Sequence, residues 1–317
     1  MAKSKVIIVA GPTASGKSDL AIGLARRFDG EIISADSRQV YRGMDIGTGK
    51  VKRDKQKVKR RTKSYHSRGI RHWLIDVASP KRQYSVAQWK KAAQKAIADI
   101  VRRGKLPIIC GGTGFWIDTL VYDRSLPHVR PNAKIRARLQ KLSPAQLFTR
   151  LQKLDPERAA TIDRHNPVRL IRALEIVMVT GKAVPTQTNG SRSEPLYLGI
   201  SMPQEKLSRR IVKRLDARLS HDMPAEVRRL HASGVSWKKL EAFGLEYRWL
   251  ARFLRGFLRG STSEKERLSL ELMRDGLLHD IIAYSKRQMT WLRRNPDIVW
   301  ITSQNHAQRL MRQFLSE

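Results

Sequence analysis

The sequence predicts an α/β fold, a parallel sheet flanked by helices with an all-helical insertion, on three observations. Short apolar, β-branched runs alternate with helical patterns through the first 121 residues. A glycine-rich loop joins the first run to the first helix. From about residue 122 the strands give way to successive helix starts.

The first run, Val6 to Ala10, leads into Gly11-Pro12-Thr13-Ala14-Ser15-Gly16-Lys17-Ser18. Leu20, Ala21, Leu24, Ala25 and Phe28 then share one face of a helix predicted over 17–28. Glycine lets backbone N–H groups turn inward around phosphate oxygens, and the helix start adds its positive dipole end. Lys17 reaches the terminal phosphates, and the Ser18 hydroxyl is suited to Mg²⁺. The loop is therefore read as a polyphosphate site in a P-loop NTPase-like core. Strands at Glu31 to Ser34, Trp73 to Val77 and Ile108 to Cys110, with helices over 85–103 and 114–121, complete its first part, residues 1–121.

Residues 122–190 form the predicted helical insertion. Ser143-Pro144, Asp155-Pro156 and Asn166-Pro167 each pair an N-cap side chain with proline at the first helical position, where the missing N–H costs nothing. The last helix, Val168 to Thr180, stops at Gly181, and the polar stretch from Pro185 to Pro195 returns to the core. Residues 191–317 supply the remainder. A strand at Leu196 to Ser201 precedes a basic amphipathic helix with Leu207, Ile211, Leu215 and Leu219 inside. Helices follow over about 223–259 and 264–294, then a strand at Ile298 to Thr302 and a helix from Asn305 to Phe314.

With 41% hydrophobic residues among 317, the chain can build a sizeable core. Its 63 Lys and Arg against 28 Asp and Glu leave a formal charge of +35, which opposes compaction unless a polyanion relieves it. Nucleic acid is the leading partner; proteome-wide adaptation is the other source of such an excess. The run Lys50 to Lys63 holds nine basic residues in fourteen and reads either as a solvated loop or as a nucleic-acid contact. A single cysteine, Cys110, excludes an internal disulfide and reads as a small buried residue, not a nucleophile. The histidines show no paired metal-ligand spacing, so no zinc site is expected. The N-terminal apolar stretch is too short for a signal peptide, and no segment approaches the length of a membrane span. A cytoplasmic monomer is expected.

Asp36, after the second strand, is placed at a carboxyl end of the sheet, where the first strand delivers its loop. As the acid of an ATPase or kinase it would hold Mg²⁺, with Asp76 a second candidate; in a transferase acting on an amine it would accept the nucleophile's proton. Gly111-Gly112-Thr113-Gly114 closes another strand at the same rim and brings a hydroxyl to it.

These segments, with Ala35-Asp36-Ser37-Arg38-Gln39-Val40-Tyr41-Arg42-Gly43-Met44-Asp45-Ile46-Gly47-Thr48, Arg172-Ala173-Leu174-Glu175 and Lys286-Arg287-Gln288-Met289-Thr290-Trp291, occur in the order seen in tRNA dimethylallyltransferases. The chain resembles that family over nearly its whole length. The resemblance implies transfer of a dimethylallyl group from dimethylallyl diphosphate to N6 of adenosine 37 in tRNA, the loop Gly11 to Ser18 holding the prenyl diphosphate with Mg²⁺ instead of a nucleoside triphosphate. It gives Lys17 and the loop amides the leaving diphosphate, Asp36 the amine proton and Thr113 the orientation of the base. It lines the acceptor pocket with Ser37, Arg38 and Gln39, Gln39 reading base edges. Arg136 and the helix start Val168, Arg169, Leu170, Ile171 and Arg172 would contact tRNA, with Arg169 and Arg172 on one helix face. The chain departs from the family at Arg38, at Trp73 in His72-Trp73-Leu74-Ile75-Asp76, and in Phe243-Gly244-Leu245-Glu246-Tyr247. The loop alone would equally suit an ATP-dependent nucleoside or nucleotide kinase. An AMP prenyltransferase and a non-catalytic RNA-binding protein are the other readings.

Overall fold

The computed structural model describes residues 4–54, 64–185, 190, 193–257 and 263–317. It divides into two compact units, Met1–Tyr122 with Ser191–Glu317, and Asp123–Gly190.

In chain order the first unit contributes β1 (Ser4–Ala10), α1 (Lys17–Arg27), β2 (Gly30–Ser34), β3 (Tyr65–Ser67), β4 (Ile70–Trp73), α2 (Val86–Arg102), β5 (Leu106–Gly111) and α3 (Gly114–Val121). The second unit holds α4 (Ala133–Leu139), α5 (Pro144–Leu154), α6 (Pro156–Thr161) and α7 (Pro167–Thr180). The first unit resumes with β6 (Ser193–Ile200), α8 (Gln204–Ser220), α9 (Met223–Ala232), α10 (Trp237–Phe243), α11 (Leu245–Phe257), α12 (Ser263–Arg293), β7 (Ile298–Ile301) and α13 (Gln304–Ser316).

The strands form one sheet in the order β3-β4-β2-β5-β1-β6-β7, parallel except for the β3–β4 hairpin. Helices flank it, giving the α/β architecture expected. β1 is buried on both faces, as a central parallel strand must be, and its side chains alternate. Val6, Ile8 and Ala10 join the core that holds Trp89 and Trp116, while Ile7 and Val9 pack with Ala21, Ile22 and Leu24 of α1 and Met311 of α13. The register sets Ala10 beside Gly111 and Ser34 beside Cys110. The carboxyl ends of β1, β5 and β2 are thereby neighbours, and residues 11–18, 111–114 and 35–39 leave the sheet at one rim.

The strand expected over Trp73 to Val77 is displaced. Pairing ends at Trp73, because Leu74 (φ 63°) and Asp76 (φ 59°) turn left-handed. The strand begins earlier, in a hairpin whose turn residues Arg68 (φ 52°) and Gly69 (φ 79°) are also left-handed and match the twist of a tight hairpin.

In the second unit, Ser143, Asp155 and Asn166 each cap a helix through the side chain, with proline in the first turn, as their spacing predicts. Leu139, Leu147, Leu151, Leu170 and Leu174 form its core. Glu175 is completely buried there and accepts from Arg136 (2.7 and 2.8 Å), Arg172 (2.6 Å) and the Asn132 N–H (2.7 Å). Burial alone would raise its carboxyl, but these donors outweigh it and hold it at about 2, below the ordinary 4.5.

Candidate active site

The loop after β1 curls through two left-handed residues, Ala14 (φ 64°) and Gly16 (φ 91°), a backbone form that turns successive N–H groups toward a common point. Gly16 then serves as N-cap of α1 without a side-chain cap, which leaves the helix start to an external acceptor. The Ser15 hydroxyl is buried with no hydrogen-bond partner among the described residues, a polar atom that a bound anion would satisfy. Lys17 Nζ donates to the Pro12 carbonyl at 3.2 Å. Burial lowers its pKa, Arg214 and Arg218 add to the effect, and Cys110 and Asp36 oppose it. Burial likewise pushes the Cys110 thiol up to about 11, so Cys110 is a packed core residue, as expected.

Asp36 follows β2 with Oδ1 accepting from the N–H groups of Arg38 (2.8 Å) and Gln39 (3.3 Å); Oδ2 has no hydrogen-bond partner among the described residues. The Thr113 hydroxyl accepts from the Ser37 N–H at 3.2 Å, which fixes the two turns against each other. Their approach explains Gly111: a Cβ there would collide with the Ala35 carbonyl. Asp36 lies between two hollows. One is a chamber of ≈ 20 Å³ that it lines with Lys17, Ser18, Gln39, His72 and Cys110; burial holds His72 at about 4 and hence neutral. The other is a cleft of ≈ 290 Å³ lined by Thr13, Asp36, Ser37, Arg38, Arg218 and Tyr284, among others. The geometry thus joins a phosphate-type loop, a carboxylate and a hydroxyl.

A model of the family described as "IPP transferase" matches residues 39–295, which is most of the chain. The chain belongs to the IPP transferase family. It is 38% identical over 305 residues to the tRNA dimethylallyltransferase of Thermomicrobium roseum, covering 94% of this chain and 86% of the relative. It is 37% identical to that of Acetivibrio thermocellus, covering 93% and 91%. Among solved structures, the tRNA delta(2)-isopentenylpyrophosphate transferase of Staphylococcus epidermidis superposes with TM-score 0.67 at 32% identity over 99% of this chain and all of that one. A eukaryotic dimethylallyltransferase described as acting on tRNA gives 0.76 at 26% identity, covering 99% and 80%.

Against this family background, several expectations need correction. Gln39 does not present its amide to the cleft: Oε1 accepts from Ser34 (3.0 Å), and Nε2 donates to the Thr48 and Gly49 carbonyls (both 3.3 Å), so the side chain fastens the 45–49 loop. Asp76, the alternative Mg²⁺ acid, pairs with Lys50 Nζ at 2.5 Å. Lys50 itself, first of the basic run, is buried between Asp76 and Asp45 and is no solvated charge; positions 55–63 of the run lie outside the described residues. Leu170 is fully buried in the core of the second unit and Ile171 packs against that core, so Leu170 cannot touch RNA. Arg136 and Arg172 are turned onto Glu175, and Arg172 also donates to the Val129 carbonyl (2.9 Å). Val168 and Arg169 remain exposed. Arg38 lines the cleft with its guanidinium over the Phe243 ring, 5.5 Å from the centroid, and Trp73 donates to Glu31 at 2.7 Å, away from the cleft lining.

Sequence reasoning missed the cations and clamps around the loop. On α8, Arg210 Nη1 donates to the Ser15 carbonyl (3.4 Å) and Arg214 to the Thr13 hydroxyl. Burial lowers Arg214 to about 10, with Arg218 adding repulsion. Gln288 of α12 accepts from the Thr13 N–H (2.8 Å) and donates to the Gly112 carbonyl (2.9 Å), tying the phosphate loop to the 111–114 turn. Buried Glu226 accepts from the N–H groups of Asp45, Ile46 and Gly47 and from Tyr247. The family motif around Gln288 was a signal for one of these; the α8 arginines read only as a charged helix face.

Proposed function

We propose that this protein transfers the dimethylallyl group of dimethylallyl diphosphate to N6 of adenosine 37 in tRNA anticodon loops, giving N6-(dimethylallyl)adenosine. The observation that carries the reading is the meeting of the phosphate loop, Asp36 and Thr113 at the adjacent ends of β1, β2 and β5. The named activities of its relatives agree with it.

The loop amides, the Ser15 hydroxyl, Lys17, Arg210 and Arg214 bind the diphosphate. The bond between the allylic carbon and the diphosphate oxygen breaks, and the electron pair leaves with a diphosphate whose added charge these groups stabilise. Adenine N6 is a weak nucleophile because its lone pair is delocalised into the ring. As the new carbon–nitrogen bond forms, Asp36 Oδ2 takes the N6 proton, and Thr113, anchored to Ser37, orients the amine. The target base must leave the stacked loop to reach Asp36, at a cost of a few kcal/mol that is smaller in a single-stranded loop.

No group of three or more His, Cys, Asp or Glu able to hold a metal occurs among the described residues. Ser18, at the start of α1, would be the protein oxygen for a Mg²⁺ held otherwise by diphosphate oxygens and water. Such an ion would supply charge neutralisation at the departing diphosphate. Among the described residues no helix is long and apolar enough to cross a membrane. A cytoplasmic monomer is part of the same proposal.

The test is incubation of the purified protein with dimethylallyl diphosphate, Mg²⁺ and unmodified tRNA, with free AMP and ATP offered separately. Prenylated tRNA without ATP consumption is expected. Prenylation of AMP alone, phosphoryl transfer from ATP, or tRNA binding without transfer would each replace this reading with one of its rivals.

A further inference from the structure

Helix α8 carries Arg210, Arg214 and Arg218 four residues apart, so the three lie along one face. The first two contact the phosphate loop itself, at Ser15 and Thr13. Arg218 continues the row into the cleft that Thr13 and Asp36 also line. It is nearly buried, donating from Nη1 to the Gly47 carbonyl (3.3 Å) and to Glu246 Oε1 (3.0 Å), with side chains 13% and 10% exposed. Glu246 stands in the first turn of α11. Burial raises its carboxyl, and Arg218 only partly offsets this.

The site without ligand therefore gathers Lys17, Arg210, Arg214 and Arg218 against Asp36 and Glu246. Cations outnumber carboxylates, with Lys17, Arg214 and Arg218 partly buried and Arg210 at the exposed end of the row, an arrangement that a multiply charged anion stabilises. A guanidinium has more donors than its two present acceptors use, and Arg218 already lies within the field felt by Lys17.

Resting on the reading above, we propose that Arg218 is a third arginine for the prenyl diphosphate and that Glu246 is its exchangeable counter-ion, holding it until the diphosphate arrives and competing for it afterwards. Glu246 is thus a positioning residue: it sets the affinity for donor and product through Arg218 and touches neither.

The experiment titrates inorganic pyrophosphate with Mg²⁺ into the wild-type chain, Arg218→Met, Glu246→Gln and the double variant by calorimetry, with tRNA binding measured in parallel. Arg218→Met is expected to weaken pyrophosphate binding roughly tenfold or more, the scale of one lost charge-assisted hydrogen bond, and to leave tRNA affinity unchanged. Glu246→Gln, which keeps an acceptor for Arg218 but removes the charge, is expected to tighten pyrophosphate binding severalfold and to slow product release. The double variant should bind like Arg218→Met. Equal pyrophosphate affinity in Arg218→Met and wild type overturns the proposal, as does weakening by Glu246→Gln, which would make the pair a structural brace. A loss confined to tRNA would assign Arg218 to the RNA instead. Should Arg218→Met fail to fold, Glu246→Gln decides alone, and unchanged or weaker binding there is refutation. Failure of the wild type to bind pyrophosphate would refute the functional reading itself, a separate result.

Discussion

Arginine does opposite work in the two units. In the helical unit, Arg136 and Arg172 converge on one buried carboxylate, and with the Asn132 N–H they supply both of its oxygens with donors. In the sheet unit, half-buried Arg214 and Lys17 lie beside further cations, and the Ser15 hydroxyl has no partner among the described residues. A buried carboxylate with both oxygens paired belongs to the fold; an unpaired hydroxyl beside clustered cations is where an anion fits.

The strongest way to break this contrast is at Asp36. Asp36→Asn keeps the shape and an acceptor for the Arg38 and Gln39 N–H groups but cannot accept the proton. Single-turnover assays should show transfer slowed by about 10²- to 10⁴-fold with tRNA affinity retained. Near-normal turnover would remove Asp36 from the chemistry.

Next is Glu175. Glu175→Ala strands two guanidinium groups and should destabilise the helical unit by about 3–5 kcal/mol, read as a lowered Tm. Because its folded-state carboxyl lies at about 2 against an ordinary 4.5, its stabilising contribution is complete above about pH 4.5. It is lost as pH falls from there toward 2. Acid unfolding followed by circular dichroism should show this loss in the wild type and not in Glu175→Ala.

Gln288→Ala leaves the Thr13 N–H and the Gly112 carbonyl unpaired, at about 1–3 kcal/mol for each buried group. A higher KM for dimethylallyl diphosphate, with tRNA affinity held, is the expected signature; an unchanged KM would show that the clamp does not shape the loop.

The smallest effect separates two arginines of the helical unit, Arg169 of α7 and Arg136 of α4. Exposed Arg169 should contribute to tRNA binding only: Arg169→Ala weakens it a few-fold and reduces the salt slope by about one. Arg136→Ala should lower Tm and leave that slope alone. The reverse result would undo the comparison.

What the sequence disclosed was local. The phosphate loop declares itself in eight contiguous residues, and the caps at Ser143, Asp155 and Asn166 need only the next few positions. The partner of Arg136 lies 39 positions away and is chosen by tertiary packing, whereas Arg172 and Glu175 are three apart on one helix, a spacing that offers the ion pair but does not say that the pair is buried. Leu170 was grouped with its exposed neighbours because a motif is linear, whereas a helix sends successive residues to different faces. The β3–β4 hairpin escaped notice because Arg68-Gly69 lacks the usual Asn or Asp before glycine. On α8, the leucine stripe showed which side faces inward but not that the adjacent side looks onto the phosphate loop.

The bond from Thr13 to Gln288 spans 275 positions. During synthesis the loop is made 275 residues before its anchor, so it gains this fastening only after Gln288 has followed. The order of the loop thus depends on a long-range contact that forms late, after the intervening strands and helices of the sheet unit have been made.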